Sequence, residues 1–587
     1  MMRTEWNLDK LYLGFDSEDF QRDLQLFDQI VDEIVAMGDA YDNDEQKVEK
    51  LRNYILISQR LQTLADRLIG FASLRQATDS TNLEALKVMN RLQTKATQIK
   101  FVEAKFCKWV GKLPNLEATL QSDPLLQEHA FHFRELAMEA KRMLDDQTEA
   151  LLAKLRQNGS MAWGRLQSLL TSTLSVTYEG KEMTLSEVRN LAYEPDPEVR
   201  KNAYLAELKA YEKIEKPIAS AINSIKGEVN TLTEARGYKS ALEESLTKSR
   251  IKETTLQSMI EAMEQFLPVF RSYLKRKAEL LHHKNGLPFY DLFAPLGKTQ
   301  KKFTIPEANA YILKNFRTFN TRLPEMVERA FTEGWVDYLP RKGKVGGAFC
   351  ANLPSIKESR VLTNFDGAFG DVITLAHELG HAYHGETIFS ESIINGEYPM
   401  PLAETASIFC ETIVNQAAFK DASSKEEQIY LLEASLQDAT QVIVDILSRF
   451  YFESALFSGR KHTLFDENEL KDMMIEAQKK SYGDGLDPEF LHPYMWVCKS
   501  HYYSGYLSFY NWPYAFGLLF AKGLYAKYLQ DQARFIPLYD ELLSNTGKMS
   551  VEAVAKIAGI DVETPEFWHQ SLGLLKNDID LFLRLTR

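Results

Sequence analysis

Apolar side chains recur every three or four residues through much of this 587-residue chain. Leu24, Phe27, Ile30, Val31, Ile34 and Val35 form one such series; Leu51, Tyr54, Ile55, Ile57, Leu61 and Leu64 form another. That period is one face of an α-helix, so the chain from about residue 16 to 170 is expected to run helix after helix. Glu139–Gln157 reads as a further charged, amphipathic helix of this run. No sequence repeat is visible, so a regular solenoid is not supported.

The pattern then breaks. Leu174–Tyr178 alternates as a strand does, Glu179-Gly180-Lys181 turns it, and Thr184 with Glu187 makes a capping box for a new helix. Glu194-Pro195-Asp196-Pro197 is a second punctuation, with a proline placed to begin a helix. A lobe boundary falls here, giving an N-terminal helical lobe at 1–195 and a second lobe at 196–587. Helical periodicity resumes to about His283, and Gly286–Gly297 is an aromatic loop or short strand. Lys342–Leu353 and Ser359–Phe365 have the content of two short strands. The pair Gly346-Gly347 would let another backbone approach closely. An edge strand of that kind can accept an extended peptide; a plain hairpin is the alternative.

Composition narrows the class. Hydrophobic residues are 45% and charged residues 26%, which is globular rather than disordered, and low glycine and proline favour long helices. A net charge of −13 argues against nucleic-acid binding, which needs a positive face. No apolar stretch is long enough to span a membrane, and the first residues lack the apolar run of a signal segment. Cys107, Cys350, Cys410 and Cys498 are scattered without a CxxC pair, so a reducing, cytoplasmic setting is expected.

The candidate chemistry lies in Asp371–His384. His377-Glu378-Leu-Gly-His381 is an HExxH motif. On a helix, two histidines four apart share a face and can converge on one Zn²⁺. Glu378, one step round, can reach a water on the metal and serve as base for hydrolysis. His384 shares that face but lies too far along the axis from His377, so it reads as packing or support. Catalytic zinc takes a third protein ligand. The segment Pro399–Glu411 reads as a helix of small and apolar residues carrying Glu404 and Glu411 on one face. Glu404 is the favoured ligand, with Glu411 the reserve or the acceptor for a ligand histidine's N–H. Further on, His501–Gly517 is rich in tyrosine. Its hydroxyls and the His501 N–H could stabilise an oxyanion; a tyrosine-lined core is the plainer reading.

The HELGHAYH helix, the AETAS segment, KGKVGGAFC, the opening WNLDKLYLGFDS and the run FYNWPYAFG together resemble the oligoendopeptidase F branch of the thimet oligopeptidase family. The resemblance extends from Trp6 to Gly517. It implies a mainly α, two-lobed helical zincin with a deep substrate channel and a small β-sheet beside the HExxH helix. It implies one Zn²⁺ per chain on His377, His381 and Glu404, with Glu378 as general base. It implies that His501, Tyr510 and Tyr514 bind the substrate carbonyl and oxyanion, with Tyr503 and Tyr506 competing. Gly346, Gly347 and Ala348 would pair with the substrate backbone. The expected activity is endopeptidase cleavage of short peptides by a monomer or homodimer, with neither nucleic acid nor membrane as a partner. The alternatives are a helical zinc carboxypeptidase, which needs a cation for the peptide's free carboxylate, and a non-catalytic peptide-binding scaffold.

Overall fold

The computed structural model describes residues 3–297 and 301–587. It is 70% helix and 4% strand, so the mainly α expectation holds. The chain divides into two compact units, and neither is contiguous. The first comprises Met1–Met143, Lys301–Ala417 and Lys527–Gly559; the second comprises Leu144–Gln300, Ala418–Ala526 and Ile560–Arg587. Residue 195, where the sequence is punctuated, lies inside the second unit. Among the described residues no helix is long and apolar enough to cross a membrane.

The first unit is built on long amphipathic helices. Glu18–Ala36 buries Phe20, Leu24, Phe27, Ile30, Val31 and Ile34. Val35 sits at the margin of that stripe and is 42% exposed. These side chains join Leu51, Ile55 and Leu64 of the helix Lys47–Thr78 in one apolar cluster that reaches Leu353.

Five strands are present among the described residues: β1 (Ser175–Tyr178), β2 (Lys181–Thr184), β3 (Val336–Asp337), β4 (Phe349–Leu353) and β5 (Glu358–Leu362). The last three form a sheet in the order β3-β5-β4, with β3 parallel and β4 antiparallel to β5. β5 is buried at every position and β4 is an edge. Side chains alternate across a strand, and β4 uses both faces. Phe349, Ala351 and Leu353 meet the apolar cluster. Asn352 faces the other way, and its Nδ2 donates to the His381 carbonyl of the helix Phe369–Ile388 at 3.4 Å. Gly385 permits this contact, because a Cβ there would stand 2.4 Å from Asn352 Oδ1.

In the second unit the hairpin β1–β2 forms as expected, with Gly180 at φ +78° in its turn. The Thr184–Glu187 capping box forms, and Asp196 caps the helix Pro197–Tyr211 with Pro197 in its first turn. The expected single helix Glu139–Gln157 is two. One helix ends at Ala140, and Asp145 caps the next, Asp146–Asn158, by accepting from the Thr148 N–H. Asp145 offers the backbone an alternative to continuing the helix, and the chain changes unit at this break. Gly286–Gly297 holds a short turn at Phe289–Asp291 and a single bridge from Leu287 to Leu486. Two buried ion pairs, Lys226–Glu453 at 2.8 Å and Lys277–Glu433 at 2.5 Å, tie distant helices of this unit together. Lys277 also donates to Leu292 O and Gln437 Oε1, which offsets the cost of burying its charge.

Candidate metal centre and active site

The motif helix Phe369–Ile388 starts where Asp371 accepts from the N–H groups of Asp366 and Ala368. An acidic side chain at that end also suits the helix dipole. Val372, Leu375, Ala376 and Leu379 bury its inner face. His377 and His381 emerge one turn apart, their ring centroids 5.0 Å from each other.

Glu404 is delivered differently from the sequence expectation. It does not lie within one helix that starts at Pro399. A single turn, Met400–Ala403, is followed by Glu404 at φ −88°, ψ 7°, and then by the long helix Thr405–Asp421. This is a sparsely populated backbone region in which many functional residues sit. Ser407, one turn on, donates to Glu404 Oε2 at 2.7 Å and fixes the carboxylate. Gly380 lets this segment approach the motif helix, since a Cβ there would meet Ala406 O and Ser407 Cα at 2.6 Å.

One atom from each of His377, His381 and Glu404 lies within 4.8 Å of the others, and together they could hold a metal ion. Glu404 Oε2 is 3.2 Å from His377 Nε2 and 3.4 Å from His381 Nε2. For metal–ligand bonds of about 2.0–2.1 Å, the corners of a tetrahedron stand about 3.3–3.4 Å apart. The donor chemistry and both separations from the Glu404 oxygen therefore suit a tetrahedral divalent ion. His377 Nδ1, its other nitrogen, faces Glu411 Oε2 at 3.3 Å, and Glu411 is held in turn by Asn415. A carboxylate in that place fixes the ring and its tautomer.

Burial alone would lower His377, but Glu404 and Glu411 outweigh it and raise its pKa to about 10. Burial pushes His381 down to about 4, helped by the charge of His377. Burial would raise Glu404; its bond to His377 and the charges of both imidazoles hold it down at about 2. Glu378 is 7% exposed. Burial, reinforced by Glu404, raises it to about 7 against the pull of His377. His384 is fully buried and turned elsewhere, with Nε2 on Thr546 Oγ1 at 2.8 Å.

Gly346 and Gly347 lie in the loop before β4, not in the strand, and a Cβ on either would find nothing within 4 Å. The loop is nonetheless held firmly. The Lys344 side chain is fully buried and donates to the carbonyls of Asp337, Leu339 and Thr363, with Asp337 Oδ1 2.7 Å away. Asn364 Nδ2 donates to Val345 O and Gly347 O. Ala348 follows directly, ahead of the edge strand.

His501, Tyr510 and Tyr514 come together in the second unit. The rings of His501 and Tyr510 stack at 5.6 Å, and the Tyr514 hydroxyl donates to that of Tyr510 at 2.8 Å. Arg449 donates to Asn511 Oδ1 at 3.2 Å, which turns Asn511 Nδ2 toward His501 Nε2 at 2.9 Å. Arginine cannot accept, so this fixes the amide; His501 Nε2 accepts and Nδ1 carries the proton. Burial, with Arg449 and Lys499, pushes His501 down to about 3, so it is neutral. The competing tyrosines are otherwise engaged: Tyr503 donates to Trp496 O at 2.9 Å, and Tyr506 is 52% exposed beneath Arg156. Sequence reading missed Asn511, Lys344 and Gly380. Only the last carried a signal, since a glycine inside a helix costs about 1 kcal/mol against alanine and implies a close approach.

Comparison with known proteins adds the family. The profile of Peptidase family M3 matches residues 190–574, and that of Oligopeptidase F matches residues 114–175. The chain belongs to peptidase family M3. This M3 chain is a metallopeptidase, a hydrolase of peptide bonds. It is 23% identical over 578 residues to the oligopeptidase PepF of Bacillus subtilis, covering 96% of this chain and 84% of the relative. Against the chromosomal oligoendopeptidase F of Lactococcus lactis subsp. cremoris it is 26% identical over 413 residues, covering 69% and 67%. Two solved structures share the fold. A Chlamydophila abortus protein has a TM-score of 0.84 at 21% identity, covering 99% and 98% of the two chains. The Enterococcus faecium oligoendopeptidase-F has 0.70 at 18% identity, covering 97% and 99%.

Proposed function

We propose that this M3 peptidase is a zinc-dependent endopeptidase that cuts internal bonds of short peptides. The observation that carries the reading is the convergence of His377, His381 and Glu404 with Glu378 one residue from the first. Zinc held by those three ligands would supply Lewis acidity, activating water near neutral pH and polarising the substrate carbonyl. Glu378 takes the proton of the attacking water and later passes it to the leaving amine, and its burial, which favours the protonated form, suits the second transfer. His501 donates through Nδ1 to the developing oxyanion, beside a tyrosine hydroxyl of the pair Tyr510 and Tyr514. One proton of that pair is used in their mutual bond. Gly346, Gly347 and Ala348 present open backbone to the peptide on a loop that Lys344 and Asn364 keep in place. The four free cysteines fit a reducing, cytoplasmic setting.

The test is hydrolysis of a short internally quenched peptide blocked at both ends, with and without chelator. Internal cleavage that chelator abolishes and Zn²⁺ restores supports the reading. No cleavage of the blocked peptide, with trimming of its unblocked form from the free C-terminus, would replace it with a carboxypeptidase.

Metal uptake should release protons. The metal-free protein carries a proton on His377 at neutral pH, because its pKa is raised to about 10, whereas a ligand imidazole must be neutral. Zinc affinity should therefore rise about tenfold per pH unit between pH 6 and 8, with about one proton released per ion. Calorimetry in two buffers of different ionisation enthalpy reads this directly, and an affinity flat with pH would refute it. The carboxylates should also separate. Glu411→Ala should weaken zinc binding by about 10–100-fold. Glu404→Ala should weaken it further, and metal analysis after dialysis ranks the two.

A further inference from the structure

The second unit contains a cavity of about 250 Å³ that the peptidase machinery does not use. It is walled by aromatic rings, including Tyr193, Phe289 and Phe293, and by the cations Arg189 and Lys499. Glu207 is a carboxylate in its lining, and it is already engaged. It accepts from the Tyr211 hydroxyl at 2.8 Å and faces His492 Nε2 at 3.4 Å and Arg189 Nε at 3.7 Å.

Lys499 is different. Among the described residues its ammonium has no ion-pair or hydrogen-bond partner, although burial and the nearby Arg449 press it toward losing its proton. His492, only 2% exposed, lines the same cavity, and its Nδ1 has no hydrogen-bond partner. A half-buried ammonium and a buried imidazole nitrogen left unmatched are costly unless something pairs with them. The unpaired ammonium asks for an oxygen anion, and the aromatic walls ask for an apolar body attached to it.

We propose that this cavity is a carboxylate subsite, in which Lys499 and Arg189 bind the free α-carboxylate of a peptide whose last side chain is apolar. Lys499 precedes His501 by two residues in the same stretch. A peptide end held there is tied to the segment that carries the proposed oxyanion donor. The inference rests on the peptidase reading and adds to it recognition of a substrate's free C-terminus. An aspartate or glutamate side chain offers the same charge, and the test separates the two sources.

The experiment is a calorimetric titration of the metal-loaded protein with N-acetyl-phenylalanine, with its carboxamide, and with the α-amide of N-acetyl-aspartic acid, which has only a side-chain carboxylate. The acid should bind about tenfold or more tightly than the carboxamide, the usual scale for a hydrogen-bonded charge. Lys499→Met should abolish that difference, and Lys499→Arg should retain it, which excludes simple misfolding. Equal binding of acid and carboxamide, or a preference that survives Lys499→Met, would overturn the proposal. Comparable, Lys499-dependent binding of the N-acetyl-aspartic acid α-amide would keep the carboxylate site and assign it to acidic side chains. Binding is read without turnover. Failure to cut the blocked quenched peptide would thus count against the endopeptidase reading alone, and loss of the acid preference against this subsite alone.

Discussion

Glu378→Gln should retain its zinc and lose about 10²–10⁴ in kcat, the range that a positioned acid–base group contributes. The substitution is nearly isosteric, and the three ligand atoms belong to His377, His381 and Glu404. Metal content after dialysis should match the wild type. KM should change little, because glutamine still fills the same buried space. The pH profile gives a second, independent reading. Burial raises Glu378, and wild-type kcat/KM should fall on the acid side of its profile as the carboxylate becomes protonated. That limb should be absent from any residual activity of the variant. A variant with wild-type kcat and full metal content would remove Glu378 from the mechanism.

The second large effect is expected from a residue that touches neither metal nor substrate. Gly380→Val should lower zinc affinity and reduce stability by about 1–3 kcal/mol, the common cost of overpacking. Valine at this position drives its Cβ into Ala406 O and Ser407 Cα, each 2.6 Å from where that atom must sit. The obstruction is backbone, so no side-chain rotation relieves it. The start of the helix Thr405–Asp421 has to retreat, and Glu404 retreats with Ser407, which holds it. Helix propensity works in the opposite direction by up to about 1 kcal/mol, so a net loss measures the clash. Gly370→Ala on the same helix is the control, because its Cβ would find nothing within 4 Å. It should be neutral or stabilising and keep its metal. Thermal unfolding and metal analysis on the pair decide the matter, and equal behaviour of the two variants would show that Gly380 is not what brings Glu404 to the histidines.

These two cases also mark what the sequence makes legible. Helical spacing alone brings His377 and His381 to one face, gives Glu404 and Glu411 a shared direction, and sets His384 apart; all of these are properties of a single element. Glu404 and Glu411 do both reach His377, although the helix between them begins one residue after Glu404. Local chemistry likewise announced the Thr184 capping box and the Pro197 helix start. Contacts between distant segments were not legible. Periodicity says which face of a helix is buried and is silent on what buries it, so the interleaving of the two units was invisible. The same limit hid the Arg449–Asn511–His501 chain, in which an arginine 62 residues from the asparagine fixes its amide. It also hid Lys344, which reads as one more surface lysine and is instead caged by Asp337, Leu339 and Thr363.

The interleaving has a consequence for the birth of the enzyme. The metal-binding unit takes its final segment from Lys527–Gly559. From that segment Thr546 hydrogen-bonds His384 on the motif helix, and Asp540 takes the Tyr383 hydroxyl. A nascent chain can already contain the HExxH helix, which ends at Ile388, while everything up to Gly559 must still be added before the unit has its last segment. At about 5–20 residues per second, several seconds pass in which ligands exist but their scaffold does not. Peptide-cutting capacity is thereby deferred until the Lys527–Gly559 segment has been made, well after the HExxH helix itself.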